Sequence, residues 1–169
     1  WVEKREQTFS AEQKRQFDSH FVSKMAALGY LIYHHHNPSE ARAIVAMDGQ
    51  VSKLGTSEGG TGKSLFGKAL DQLVRVVRID AKRNKLSDDA FLLEQVDERT
   101  RAIVFDDCLA NFDFEFLFSK ITQGITVNPK GQSRFSLDPP KFLLTTNHAL
   151  RGEGNSFERR QYIIAFSDW

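Results

Sequence analysis

Eight consecutive residues, Ser57-Glu58-Gly59-Gly60-Thr61-Gly62-Lys63-Ser64, bring together the groups needed to hold a polyphosphate. Glycines reach the positive φ values that turn backbone N–H groups inward, and a helix starting directly behind them adds a dipole that favours anions. Lys63 is spaced to reach β- and γ-phosphates, and the neighbouring Ser64 hydroxyl suits Mg²⁺. With Leu65 opening the helix, residues 57–65 form the expected ATP-contacting stretch. The usual pattern begins with glycine where this chain has Ser57. The competing reading is a flexible surface loop; a strand before it and a helix after it favour the phosphate reading.

Three further groups complete a possible hydrolytic site. Ala102-Ile103-Val104-Phe105 runs into Asp106-Asp107, which places two carboxylates at the C-terminal end of a buried strand, where open α/β sheets bind ligands. Asp106 would hold the Mg²⁺ shell through water, and Asp107 would polarise an attacking water as general base. The alternative is a capped strand end. Phe142–Thr145 is a second buried strand, delivering Asn147 toward a γ-phosphate or merely into a loop. Arg159-Arg160 precedes a last strand; one of them is an arginine finger for a neighbouring subunit's nucleotide, or a solvated helix end.

The elements that must position these groups are legible from spacing. Ser10 and Gln13 form a capping-box signature, and Phe17, Phe21, Met25 and Leu28 recur at helical spacing, predicting an amphipathic helix over about residues 11–30. His34-His35-His36-Asn37-Pro38 ends it. Ala43–Met47 and Val51–Leu54 flank Asp48-Gly49, a hairpin signal. A helix carries Phe66, Leu70, Leu73 and Val74; Val76–Ile79 reads as a strand, and 91–96 as a helix or extended piece. Phe112–Ile121 reads as a Phe-rich helix, and Gly124–Leu137 as a hairpin turning at Asn128–Gly131. Asn155–Arg160 is a short helix and Tyr162–Phe166 the last strand. Strands without polar alternation, separated by helices, imply a mostly parallel α/β sheet covered on both faces.

The hairpin carries Lys130 at its tip with Arg134 behind. One or two cations per subunit touching phosphates, repeated around a ring, would bind a nucleic-acid strand; an exposed turn with a solvated lysine is the alternative. That local reading fits the composition. Among 169 residues, 23 Lys and Arg face 22 Asp and Glu, so the net charge of +1 excludes a protein that coats nucleic acid by global charge. No run is long enough to span a membrane. A single cysteine, Cys108, excludes an internal disulfide and fits a reducing, cytoplasmic setting. The chain starts at Trp1 without Met and stops at Trp169, which reads as a piece of a longer protein: an N-terminal helical segment over residues 1–40 and a catalytic core over 41–169.

In this order, Lys63-Ser64, Asp106-Asp107, Gly124, Val127, Lys130, Pro140, Thr146-Asn147 and Arg159-Arg160 resemble superfamily-3 helicases. The likeness is greatest to the helicase domains of phage, plasmid and viral primase–helicases, and it covers about residues 43–166. It implies an AAA+-type three-layer P-loop NTPase with about five strands and a β-hairpin before the sensor strand. It also implies a hexameric ring around DNA with ATP between subunits. Gly62, Lys63 and Ser64 would bind nucleotide and Mg²⁺, Asp106 and Asp107 would form the motif-B acids, and Asn147 would be the sensor. Lys130 would face DNA in the central channel. The expected activity is ATP-driven translocation on single-stranded DNA during replication. A P-loop ATPase or kinase of another role, and a non-hydrolysing nucleotide- or DNA-binding assembly module, are the competing readings.

Other features read more plainly. Three adjacent histidines at 34–36 point in different directions and suit a loop better than a metal. Arg75, Arg78, Lys82, Arg83 and Lys85 read as a solvated basic surface. Phe112, Phe114, Phe116 and Phe118 read as core or subunit interface, and Cys108 as strand-end packing.

Overall fold

The computed structural model describes residues 10–49, 61–83 and 85–166. Helix α1 (Ala11–Ile32) begins with the expected box: Ser10 Oγ accepts from the Gln13 N–H at 3.2 Å, and Gln13 Oε1 accepts from the Ser10 N–H at 2.9 Å. The face that packs takes Leu28 from the large apolar stripe but not its other members. Ala27 and Leu31 are buried, whereas Phe17, Phe21 and Met25 are 44%, 56% and 51% exposed. Two tyrosines set this rotation: the Tyr30 hydroxyl receives the Arg42 N–H at 2.9 Å, and Tyr162 Oη lies 3.2 Å from Ser23 Oγ. Small side chains between these clasps let the helix lie close on the sheet.

Five strands form one sheet: β1 (Ala43–Asp48), β2 (Val76–Asp80), β3 (Ala102–Cys108), β6 (Lys141–Thr146) and β7 (Gln161–Phe166). Their order is β2-β3-β6-β1-β7, and every pair is parallel. The mostly parallel sheet expected from sequence is therefore wholly parallel. Between β3 and β6 the chain adds an antiparallel ribbon of β4 (Ile125–Val127) and β5 (Phe135–Leu137).

Alternate residues of each strand bury into opposite faces, as two-sided burial of a parallel sheet requires. Ile44, Ala46, Val104, Leu143 and Ile164 pack with Leu31 of α1 and Leu70 of α2 (Lys63–Leu73). Ala43, Ile79, Ile103, Phe105, Phe142 and Leu144 pack with Leu93, Phe114, Leu117, Ile121 and Phe157 on the other face. The result is three layers with the acid-bearing strand near the middle.

Three local expectations are corrected. The Asp48-Gly49 hairpin does not form along β1, because β6 and β7 occupy both of its edges; its second arm, Val51–Leu54, lies outside the described residues. The 91–96 segment is a series of turns. The Phe-rich helix shrinks to a 3₁₀ turn (Glu115–Leu117) followed by α3 (Phe118–Thr122). Phenylalanines two apart point about 200° apart on a helix. In the irregular backbone Phe112, Phe105 and Phe116 meet edge-to-face at 5.7–5.9 Å, and Phe114 meets Phe118 and Phe157 at 5.5 and 5.6 Å. The core role read for them holds.

The hairpin depends on one glycine. Gly124 has φ +121°, and a Cβ there would lie 2.6 Å from the Leu137 carbonyl oxygen, so only glycine closes the base of the ribbon. Among the described residues no helix is long and apolar enough to cross a membrane.

Candidate functional site

The C-terminal edge of the sheet gathers the charged groups. The chain leaves β1 at Asp48 and starts α2 at Lys63. Of the predicted loop, Ser57, Glu58, Gly59 and Gly60 lie outside the described residues; Thr61, Gly62, Lys63, Ser64 and Leu65 are placed. Gly62 caps α2 with φ +99°, a left-handed conformation that suits glycine, and a Cβ there would meet only Phe166 at 3.8 Å. The requirement is therefore conformational and not steric. Ser64 and Leu65 are exposed in the first turn of an 11-residue helix, whose leading N–H groups have no intrahelical partner.

Lys63 is buried, an unusual state for a lysine, and it is matched by charge. Its ammonium contacts Asp48 Oδ1 and lies 3.2 Å from Thr61 Oγ1, and the Thr61 hydroxyl donates to the same Asp48 oxygen at 2.7 Å. Sequence reading placed Asp48 in a turn and missed it. The signal available was an acid ending an apolar strand shortly before a Gly-Lys-Ser tripeptide.

Asp106 and Asp107 stand two strands away on the same edge, with β6 between. Thr145 of β6, only 1% exposed, serves both. Its hydroxyl donates to Asp106 Oδ1 at 2.6 Å and accepts the Asp107 N–H at 2.8 Å. The ladder shifts register between Phe105 and Cys108, and Asp107 has φ +56°, so the acids leave the pleat as a kink. Asp107 faces out and meets Lys82 Nζ at 3.0 Å. The Asp107 carboxylate, first by this hydrogen bond and then by its charge, holds Lys82 above the usual lysine range.

Four of the five residues of the basic run, Lys82 included, carry an acidic partner at the surface. Arg75 pairs with Asp97 at 2.9 Å, Arg78 with Asp71 at 2.8 Å, and Arg83 with Asp89 at 3.8 Å. Asn147 follows β6, whose Thr146 is in register with Met47 of β1 and Cys108 of β3, so the half-buried Asn147 leaves the sheet between the strand ending in Asp48 and the strand bearing the acids. Cys108 is buried as packing; burial, and then the Asp106 carboxylate, push its thiol far above the usual range.

Arg159 and Arg160 lie at the other edge. The Arg160 carbonyl accepts the Ala43 N–H at 2.7 Å, at the start of β1, so a strand length of roughly 20 Å separates it from Asp48. Arg160 is occupied internally: its guanidinium stacks 4.7 Å from the Phe118 ring and donates to the Ser156 carbonyl at 2.9 Å. Arg159 is exposed at the end of α4 (Asn155–Glu158). Neither arginine is positioned to serve its own chain's lysine.

The β4–β5 ribbon enters β6 through Pro139-Pro140. Asn128 Nδ2 donates to the Ala90 carbonyl at 3.3 Å, and Arg134 Nε donates to Asn128 Oδ1 at 3.2 Å, so Arg134 braces the turn. Lys130 lies 3.9 Å from Glu94 and 5.5 Å from the Phe91 ring, yet its side chain is 73% exposed. Of the three histidines, His36 Nε2 lies 3.2 Å from the Thr122 carbonyl oxygen. Among the described residues no group of three or more His, Cys, Asp or Glu side chains could hold a metal ion.

The family model described as "Family of unknown function (DUF5906)" matches residues 55–160, from the loop to the arginine pair. No curated protein matches the chain. Many solved structures share the architecture, two of them as follows. The apo C-terminal region of NrS-1 superposes with a TM-score of 0.57 at 15% identity, over 88% of this chain and 33% of that one. The JCV helicase bound to a substituted acetamide gives 0.55 at 12% identity, over 85% and 40%. The chain therefore spans a third to two-fifths of these solved chains, and its fold is helicase-like.

Proposed function

The chain belongs to the DUF5906 family, and we propose that it is the ATP-hydrolysing motor domain of a DNA helicase, moving along single-stranded DNA in a replication primase–helicase. One observation carries the proposal. Lys63, behind a left-handed Gly62 at a helix start, shares a sheet edge with the Asp106-Asp107 pair, and Asn147 follows the strand between them. Resemblance of the fold to the JCV helicase supports the same reading.

In this reading the α2 N-terminus and the Lys63 ammonium bind the triphosphate of ATP. The donor set fits a magnesium complex: Ser64 is exposed beside Lys63, and Asp106 presents an oxygen whose partner, Thr145, fixes its direction. Bound there, Mg²⁺ would neutralise charge on the phosphates. Asp107, displaced outward by its kink, orients the attacking water and accepts its proton at a carboxylate oxygen. Asn147 positions the γ-phosphate. Arg159 serves a neighbouring chain's nucleotide, because its own site lies at the opposite edge; that arrangement requires a homo-oligomer, and the resemblance makes it a hexameric ring. Lys130 contacts the DNA backbone, with Arg134 holding the turn.

Equilibrium titration of the folded chain with a fluorescent ATP analogue and Mg²⁺ tests the core of this. Binding is expected in the wild type and at least about tenfold weaker in Lys63→Ala, the scale of a lost charged hydrogen bond. Equal affinity in the two proteins refutes the nucleotide site.

A further inference from the structure

Lys63 already has a partner. Its side chain is 8% exposed and that of Asp48 is 15% exposed, and Thr61 closes a triangle with both. An ammonium has three donors. Two are engaged by Asp48 and Thr61, so a phosphate oxygen must either take the third or displace the carboxylate. In either case Asp48 remains beside an incoming polyanion. A carboxylate there is unfavourable for a bare triphosphate and much less so for one whose charge a metal has partly neutralised.

We infer that Asp48 is a positioning residue of the phosphate site: it holds Lys63 in place when the site is empty, competes with phosphate for the ammonium, and makes the site select metal-complexed over metal-free nucleoside triphosphate. The inference rests on the nucleotide reading of Lys63. It adds a residue from outside the Gly-Lys-Ser loop and a specificity that the loop alone does not confer. Thr61 has a part as well, since its hydroxyl keeps the Asp48 oxygen on the side of the lysine.

The experiment compares Asp48→Asn and Asp48→Ser with wild type, titrating ATP in EDTA and again in Mg²⁺, with thermal melting to confirm folding. The asparagine keeps an acceptor for Thr61 and Lys63 without the charge; the serine removes both charge and reach. Both variants are expected to bind metal-free ATP about tenfold tighter, the scale of one charge-assisted hydrogen bond. Affinity for Mg·ATP should change less, so the preference for the complexed form falls. Folded variants with unchanged preference, or weaker binding in both conditions, overturn the role of Asp48. Failure of the underlying reading looks different: the wild type itself binds no ATP and Lys63→Ala changes nothing.

Discussion

The groups proposed for chemistry and the groups proposed for contact hold their charge in opposite ways. At the C-terminal edge Lys63, Asp106 and Asp107 are each bonded within the chain, to Asp48, Thr145 and Lys82. At the other edge Arg160 and the buried Lys141 are bonded to backbone carbonyls, but Arg159 is exposed, and on the ribbon leading into β6 Lys130 is 73% exposed, with Glu94 at 3.9 Å and the Phe91 ring at 5.5 Å. A group that must act on a small ligand needs fixed direction, which neighbours supply before the ligand arrives. A group that must meet a macromolecule can stay solvated, since the partner completes it. The contrast separates the proposed chemistry of the protein from its proposed contacts.

That contrast can be broken at either edge. The largest effect is expected from Asp107→Asn, which removes the proposed base and should cut ATP turnover by about 10²–10⁴-fold with little change in ATP affinity. Steady-state kinetics beside a binding titration would check it, and parallel losses in both would deny Asp107 a chemical role. Thr145→Val comes next. It leaves Asp106 without its hydroxyl donor and the Asp107 N–H without an acceptor in a buried place, so unfolding free energy should fall by about 1–3 kcal/mol. Denaturant melts measure that directly; a neutral result would mean that the kink does not depend on Thr145. The smallest effect on the fold is expected at Lys130. Lys130→Ala should change stability by no more than about 0.5 kcal/mol, because its ion pair is long and exposed, while stimulation of ATP turnover by single-stranded DNA disappears. Persisting stimulation would remove the ribbon from the DNA path.

Much of the fold was legible because it rests on local regularities. The Ser10–Gln13 box, the apolar runs of β1, β3 and β6, and Gly124 at a ribbon base all express rules that act within a few residues. Local rules failed where several solutions were locally equal. Phe17, Phe21 and Met25 make a sound apolar stripe, yet the sheet selected Ala27 and Leu31, because the Tyr30 and Tyr162 clasps rotate the helix. Four alternating phenylalanines suggested a helix, but the core required all of them on one side. Asp48-Gly49 suggested a two-residue turn until both edges of β1 were found to be filled.

The candidate site divides the same way. Sequence alone determined which residue types stand at the ends of the strands and in what order, since glycine conformation, strand burial and chain direction require only short-range physics. Tertiary structure decided who faces whom. Asp48 meets Lys63 from 15 residues away, Lys82 meets Asp107 from 25, and Thr145 meets Asp106 from 39. The last two pairings depend on the order of strands across the sheet, β2-β3-β6-β1-β7, whereas the first is made within the β1–loop–α2 unit. That order is set by packing of the whole core, and no window of sequence contains it.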